Sequence, residues 1–379
     1  MKVESFVVNV DQRELDDLRR RLSLTRWPQP IDGEGWSSGT DISYLRDLCT
    51  YWETEYDWRR TEANLNRWPQ FTTTVDGQRI HFLHARSPVS DARPLMLLHG
   101  WPSSVLEFGK VVARLTDPAA YGGDPADAFH VVVPSLPGYA WSGPITQPGW
   151  DVSRIANAMT VVMEHLGYGT YGLMGGDWGS LVASRMALAT PERISGLYLT
   201  LVTVPPTGAD DDSTPEETLL AEEFRQYVAT ETGYIAIQAT KPQSLAFGLT
   251  DSPAGLAGWI VEKFHAWTDC GGQLESALTR EEILGNITAY WLTGTAGSSM
   301  RLYRESVLAG SASPVSKYVD VPTGVAVFPK EPYRVSRRQA ERLYRVVRWT
   351  EFARGGHFPA LEQPECFVTD IRAFFRELA

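Results

Sequence analysis

The stretch Tyr171-Gly172-Leu173-Met174-Gly175-Gly176-Asp177-Trp178-Gly179-Ser180 sets one polar residue, Asp177, between glycines two positions to either side. An apolar run precedes it and the helical pattern Ser180-Leu181-Val182-Ala183 follows, so the segment reads as strand, sharp elbow, helix. Gly175 and Gly179 suit such an elbow, because a side chain at either place would crowd the backbone. A carboxylate at the apex is nucleophilic at neutral pH, whereas a serine there would need a base. Its product limits its substrate. Attack on an ester carbonyl gives an unstable anhydride, but displacement at a strained or activated sp3 carbon gives an alkyl ester that water can cleave. Epoxides and haloalkanes are the matching electrophiles. Cleaving the ester then requires a base for water and N–H donors for the oxyanion.

Residues for those parts occur in the chain order nucleophile, acid, histidine. Arg354-Gly355-Gly356-His357-Phe358 follows the run Trp349 to Phe352, which puts His357, the expected base, at a strand's C-terminal end. Lys330-Glu331 follows the run Val325 to Phe328, which puts Glu331 where it can orient the imidazole and stabilise its charged form. Asp320 lies before that strand, at the wrong end. His99-Gly100-Trp101-Pro102 follows the run Leu95 to Leu98, the place from which one oxyanion N–H comes; the other comes from the residue after the nucleophile. Trp101 and Trp178 are therefore the expected donors, with rings available to line the pocket, and His99 reads as a structural loop residue.

Positioning these groups requires an α/β sheet. Short continuous apolar runs, 95–98, 129–133, 171–174, 194–201, 325–328 and 349–352, read as buried parallel strands, with helices at about 153–166, 180–190, 336–347 and 364–378. Residues 1–70 carry helical periodicity, with Leu15, Leu18 and Leu22 after a cap at Asp11, and form an N-terminal helical extension. Asp76-Gly77 between two alternating runs predicts a hairpin. The core is thus expected in two parts, 71–203 and 319–379, separated by a helical cap over 204–318. That cap opens with the polar stretch Pro205 to Pro215 and is rich in rings, most of which are expected simply to pack it onto the core.

Several patterns lack the context their chemistry needs. Gly35-Trp36-Ser37-Ser38-Gly39 matches a serine elbow but follows no strand, and Gly167 to Gly172 matches a dinucleotide loop but runs from helix to strand. His81 and His84 alternate on a strand without a third ligand and read as a solvated strand face, so no metal is expected. Cys49, Cys270 and Cys366 show no paired spacing and read as small apolar residues.

Composition narrows the class. The 379 residues carry a formal charge of −11, which disfavours nucleic acid and anionic membrane surfaces. Hydrophobic residues make up 43%, including 13 Trp, 15 Tyr and 14 Phe, enough for a sizeable core and an apolar pocket. No secretory leader or apolar stretch of about 18 residues is apparent, so a cytoplasmic protein is expected. Composition leaves homo-oligomerisation open.

The motif set resembles the α/β-hydrolase-fold epoxide hydrolases, in the branch with an N-terminal extension that includes microsomal epoxide hydrolase and its fungal and bacterial relatives. The resemblance spans Thr25-Arg26-Trp27-Pro28, Trp68-Pro69-Gln70-Phe71, the motifs at 99–102 and 175–180, Phe328-Pro329-Lys330-Glu331 and Gly355-Gly356-His357-Phe358. It implies Asp177 as nucleophile, His357 and Glu331 as the water-activating pair, no cofactor, and two cap tyrosines that protonate the epoxide oxygen. The segments 233–242 and 299–305 resemble those bearing the tyrosines, which points to Tyr234 and Tyr303, with Tyr227, Tyr290 and Tyr318 as decoys. The chain begins at the extension without the microsomal anchor, which implies a soluble bacterial relative, with secondary metabolism among the roles of such enzymes. After Pro137-Gly138-Tyr139 the family pattern expects Gly-Phe, but Ala140-Trp141 stands there, which puts Trp141 on one pocket wall.

Hydrolysis of a small-molecule epoxide to a vicinal diol is the expected function. A haloalkane dehalogenase shares the aspartate elbow but must bind a halide, and paired tyrosines favour the epoxide. A non-catalytic binding protein of the same fold would have little use for an intact Asp177, Glu331 and His357.

Overall fold

The computed structural model describes residues 2–205 and 213–378, so most of the polar stretch from Pro205 to Pro215 lies outside the described residues. Its centre is a sheet of nine strands: β1 (Glu4–Phe6), β2 (Gln70–Val75), β3 (Gln78–Ala85), β4 (Arg93–Leu98), β5 (Phe129–Pro134), β6 (Tyr171–Gly175), β7 (Ile194–Leu199), β8 (Val319–Val327) and β9 (Tyr344–Glu351). They lie in the order β1-β2-β3-β5-β4-β6-β7-β8-β9. The first three pairings are antiparallel and the pairings from β5 to β9 are parallel. This is the α/β-hydrolase arrangement that the strand and helix alternation implies. In β4 and β5, Leu95 to Leu98 and Val131 to Val133 are fully buried, because helices cover both faces of the parallel part.

Before the sheet come α1 (Gln12–Ser23), α2 (Ile42–Thr54) and α3 (Trp58–Asn66). Asp11 caps α1 by accepting from the Arg13 N–H, and Leu15, Leu18 and Leu22 form its buried face. Within the sheet, α4 (Val112–Thr116), α5 (Val152–His165) and α6 (Asp177–Ala189) connect successive strands. Between β7 and β8 lies an insertion of α7 (Pro215–Glu231), α8 (Gly233–Thr240), α9 (Pro242–Asp251), α10 (Pro253–Trp267), α11 (Arg280–Thr293) and α12 (Ala296–Leu308). The chain closes with α13 (Arg337–Glu341), α14 (Pro359–Glu362) and α15 (Pro364–Glu377).

Three local readings are corrected. The helix expected over 336–347 stops at Glu341, and Tyr344 already belongs to β9: Ala340, Leu343, Tyr344 and Val347 have helical spacing, but β8 supplies a parallel pairing edge along which β-branched Val346 and Val347 fit. β8 begins at Val319, before its uninterrupted apolar run. His81 and His84 are buried rather than solvated. The His81 ring meets Ser135 Oγ and Gln70 Oε1, each at 2.9 Å, under the ring of Phe6 from β1. Burial followed by the charge of Arg79 pushes its pKa down to about 3.

Candidate active site

β6 delivers the chain to Gly175, and α6 leaves from Asp177, which has φ of +48°. An L-residue held in this left-handed region is strained, and surrounding structure must enforce it. Here the Gly176 N–H donates to Leu98 O and the Thr200 N–H to Gly175 O, which ties the elbow to both neighbouring strand ends. A Cβ on Gly179 would strike Leu98 O, and one on Gly175 would strike the backbone of Gly179. A Cβ on Gly100 would strike the Asp177 side chain itself.

The Asp177 carboxylate faces two partners. Oδ1 accepts from the Trp101 N–H at 2.8 Å, and Oδ2 lies 3.6 Å from His357 Nε2. The Trp178 N–H is in the first turn of α6, where helix geometry supplies no acceptor, and Asp177 lies at the positive end of that helix. On the far side of the imidazole, His357 Nδ1 lies 2.9 and 3.0 Å from the two Glu331 oxygens. Burial favours the neutral imidazole, but the Glu331 and Asp177 carboxylates outweigh it and raise the His357 pKa well above its ordinary value. His99 is a loop strut: Nδ1 bonds Gly100 O at 3.0 Å and Nε2 accepts from the Leu136 N–H at 3.1 Å. Burial leaves it with a pKa lowered to about 4.

The insertion brings Tyr234 from α8 and Tyr303 from α12 over this elbow. Their rings lie 6.0 Å apart, Tyr234 stacks on Trp101 at 5.3 Å, and Tyr303 meets Trp178 edge-on at 4.7 Å. Burial, reinforced by neighbouring tyrosines and the Asp177 charge, raises both phenol pKa values well above 10, so both are protonated donors at neutral pH. A cavity of about 360 Å³ opens in front, lined by Asp177, His357, Glu331, Tyr234, Tyr227, Trp267 and apolar groups including Val204, Phe224, Ile235 and Tyr333. A more polar cleft adjoins it and shares Phe224, Tyr227, Trp267 and Glu331.

Other sequence expectations fall differently. Trp141 is not on the cavity wall; its buried ring lies 5.3 Å from His81. Trp101 and Trp178 back the two tyrosines rather than the cavity. Ala140, where the family pattern expects glycine, adopts φ of +39°. Tyr290 is structural, donating to Ser103 O at 2.7 Å, and Tyr318 is exposed. Tyr227, a decoy on sequence grounds, places its hydroxyl 3.4 Å from that of Tyr234. Trp267 counts in the sequence as one more packing ring, yet it meets the His357 ring at 4.9 Å and accepts the His357 N–H through its carbonyl at 2.8 Å. Its place at the C-terminal end of the apolar helix α10 is the one signal that points to it. Among the described residues, no group of three or more His, Cys, Asp or Glu is placed to hold a metal ion, and no helix is long and apolar enough to cross a membrane.

Comparison with known proteins agrees with this architecture. Residues 3–108 match the family model described as epoxide hydrolase N terminus, and residues 93–237 match that for the alpha/beta hydrolase fold. A Stigmatella aurantiaca protein named "Putative epoxide hydrolase" is 46% identical, over 99% of this chain and 85% of its own length. Epoxide hydrolase 1 of Sus scrofa is 34% identical over 98% of this chain and 88% of its own. The crystal structure of juvenile hormone epoxide hydrolase from Bombyx mori superposes with a TM-score of 0.91 at 31% identity, covering 100% of this chain and 95% of that one. With its sheet, elbow and insertion in this order, the chain belongs to the epoxide hydrolase family of the α/β-hydrolase fold.

Proposed function

We propose that this epoxide hydrolase opens its substrate on Asp177 and releases a vicinal diol through an ester at that residue. The observation that carries the assignment is the division of the Asp177 carboxylate, which lines the cavity with Oδ1 on the Trp101 N–H and Oδ2 beside His357. Oδ2 attacks an epoxide carbon, the carbon–oxygen bond breaks, and Tyr234 and Tyr303 supply the proton to the departing oxygen. Two phenols share the developing charge. In the ester, Asp177 no longer carries a negative charge beside His357, so the imidazole gives up its proton, which restores the phenol that lost one, and becomes a base with Glu331 behind it. It takes a proton from water, which attacks Asp177 Cγ; Oδ1 becomes the oxyanion on the N–H groups of Trp101 and Trp178. Collapse breaks the Cγ–Oδ2 bond; Oδ2 leaves with the imidazolium proton, which frees the diol, and the carboxyl group left on Asp177 passes its remaining proton to the imidazole.

In this reading residues 1–70 wrap the core, residues 204–318 are the cap, and residues 71–203 and 319–379 make up the catalytic part. No metal or organic cofactor enters any step. The substrate is a free small molecule, in keeping with the modest apolar cavity, and the enzyme is a cytoplasmic, bacterial one. Dehalogenation is less well supported, because the groups above Asp177 are proton-donating phenols. A diol assay over aryl, alkyl and bulky polycyclic epoxides, run beside a halide-release assay, tests the proposal: diol formation without halide release supports it, and the reverse result overturns it.

A further inference from the structure

The loop that carries His357 is held by the core, where the Lys330 N–H donates to Gly355 O at 3.1 Å, and also by the insertion. The Gly355 N–H donates to Asp269 Oδ2 at 3.0 Å, the His357 N–H to Trp267 O at 2.8 Å, and the Phe358 N–H to Glu362 Oε1 at 3.0 Å. Glu362 then reaches across: its Oε2 accepts from the Asp269 N–H at 2.8 Å. Gly356 completes the contact, since a Cβ there would press on the insertion backbone at Thr268 and Asp269. Gly355, His357 and Phe358 thus have their N–H groups committed either to the turn after α10 or to the carboxylate that bridges to it.

We propose that Glu362 and Asp269 are positioning residues, which clamp the His357 loop to the insertion and so hold the imidazole in register with Asp177 for the hydrolytic step. Neither lines the cavity that receives the substrate. Their leverage is geometric. The imidazole must present Nε2 to a water beside Asp177 Cγ, and a displacement of about 1 Å from the productive arrangement costs as much as a hundredfold in rate. The Asp177 elbow is tied to Leu98 and Thr200 and owes nothing to this clamp, so alkylation and hydrolysis respond differently when it is cut. The inference rests on the assignment of His357 as base.

The test is rapid-quench kinetics with mass spectrometry of the Asp177 peptide, using styrene oxide as the probe, on the wild type, Glu362→Gln, Asp269→Ala, the double variant and His357→Gln as a control. In Glu362→Gln the side-chain amide keeps the shape of the carboxylate but can accept only one of the two N–H groups, so this variant is the one expected to stay folded. The expected result is a hydrolysis rate reduced roughly tenfold or more with alkylation within about twofold of wild type, so that ester accumulates. Asp269→Ala shifts the same ratio, and the double variant falls short of the product of the single effects because both act on one loop. If ester accumulates in His357→Gln while Glu362→Gln, still folded by circular dichroism, has an unchanged ratio of the two rates, the clamp is overturned. If the control accumulates no ester, the assignment of His357 falls instead.

Discussion

The two loops that carry the reacting groups are held by different parts of the molecule: the elbow by the core alone, the His357 loop by the core and the insertion together. The Asp177 elbow is a product of the core: a strand end, glycines that let backbones touch, and bonds to the strands on either side force an aspartate to φ of +48°. The His357 loop, with Gly355 and Gly356 adjacent, is shared: Lys330 of the core holds Gly355, while Trp267 and Asp269 of the insertion and the carboxylate of Glu362 take its other N–H groups. The nucleophile is therefore placed by strain that the core sustains. The base is placed in part by hydrogen bonds across the boundary with the insertion.

The largest expected effect breaks the core side of that comparison. Asp177→Asn removes the nucleophile and lowers turnover by at least about 10⁴, measured as diol formation. Gly179→Ala follows, because its Cβ meets Leu98 O with no side chain to yield; stability falls by several kcal/mol or the elbow opens, seen in chemical denaturation and loss of alkylation. Removing either phenol, as Tyr234→Phe or Tyr303→Phe, slows alkylation by about tenfold, and removing both slows it by about 10³, since each covers in part for the other. Hydrolysis of the preformed ester is unchanged in these variants.

A subtler measurement sharpens the electrostatic link between the loops. Because Asp177 is one of the charges that raise the His357 pKa, Asp177→Asn lowers it, which an NMR titration of the imidazole reads directly. The sign extends to stability. A histidine whose folded pKa is raised contributes stability in full below its ordinary value near 6.5 and loses it as pH climbs through the raised value. That loss shrinks in Asp177→Asn. Smallest of all, Ala140→Gly relieves a left-handed L-residue and stabilises the fold by about 1 kcal/mol, measured by urea unfolding.

What can be read in the sequence is what is local. The elbow, the Glu331 turn and the His357 loop each follow their own strand within a few residues, so motif and context stand side by side. The N-terminal helices are legible from the periodicity of Leu15, Leu18 and Leu22, and the parallel strands from their uninterrupted apolar runs. What escapes depends on partners far along the chain. Glu362 and Asp269 are 93 residues apart, and neither has a pattern that announces the other. His81 reads as solvated because strand alternation says nothing of the Phe6 ring that covers it, and Trp141 is assigned to the pocket wall by a motif whose backbone path turns its ring toward His81 instead.

The central claim is that the two halves of the reaction meet at an ester on Asp177. Mass spectrometry of His357→Gln mixed with a turned-over epoxide and digested after quenching tests it most directly. The peptide containing Asp177 is expected to gain the mass of one epoxide, with the adduct persisting, while Asp177→Asn shows none. An unmodified Asp177 peptide, with the epoxide shown to be bound, would contradict it.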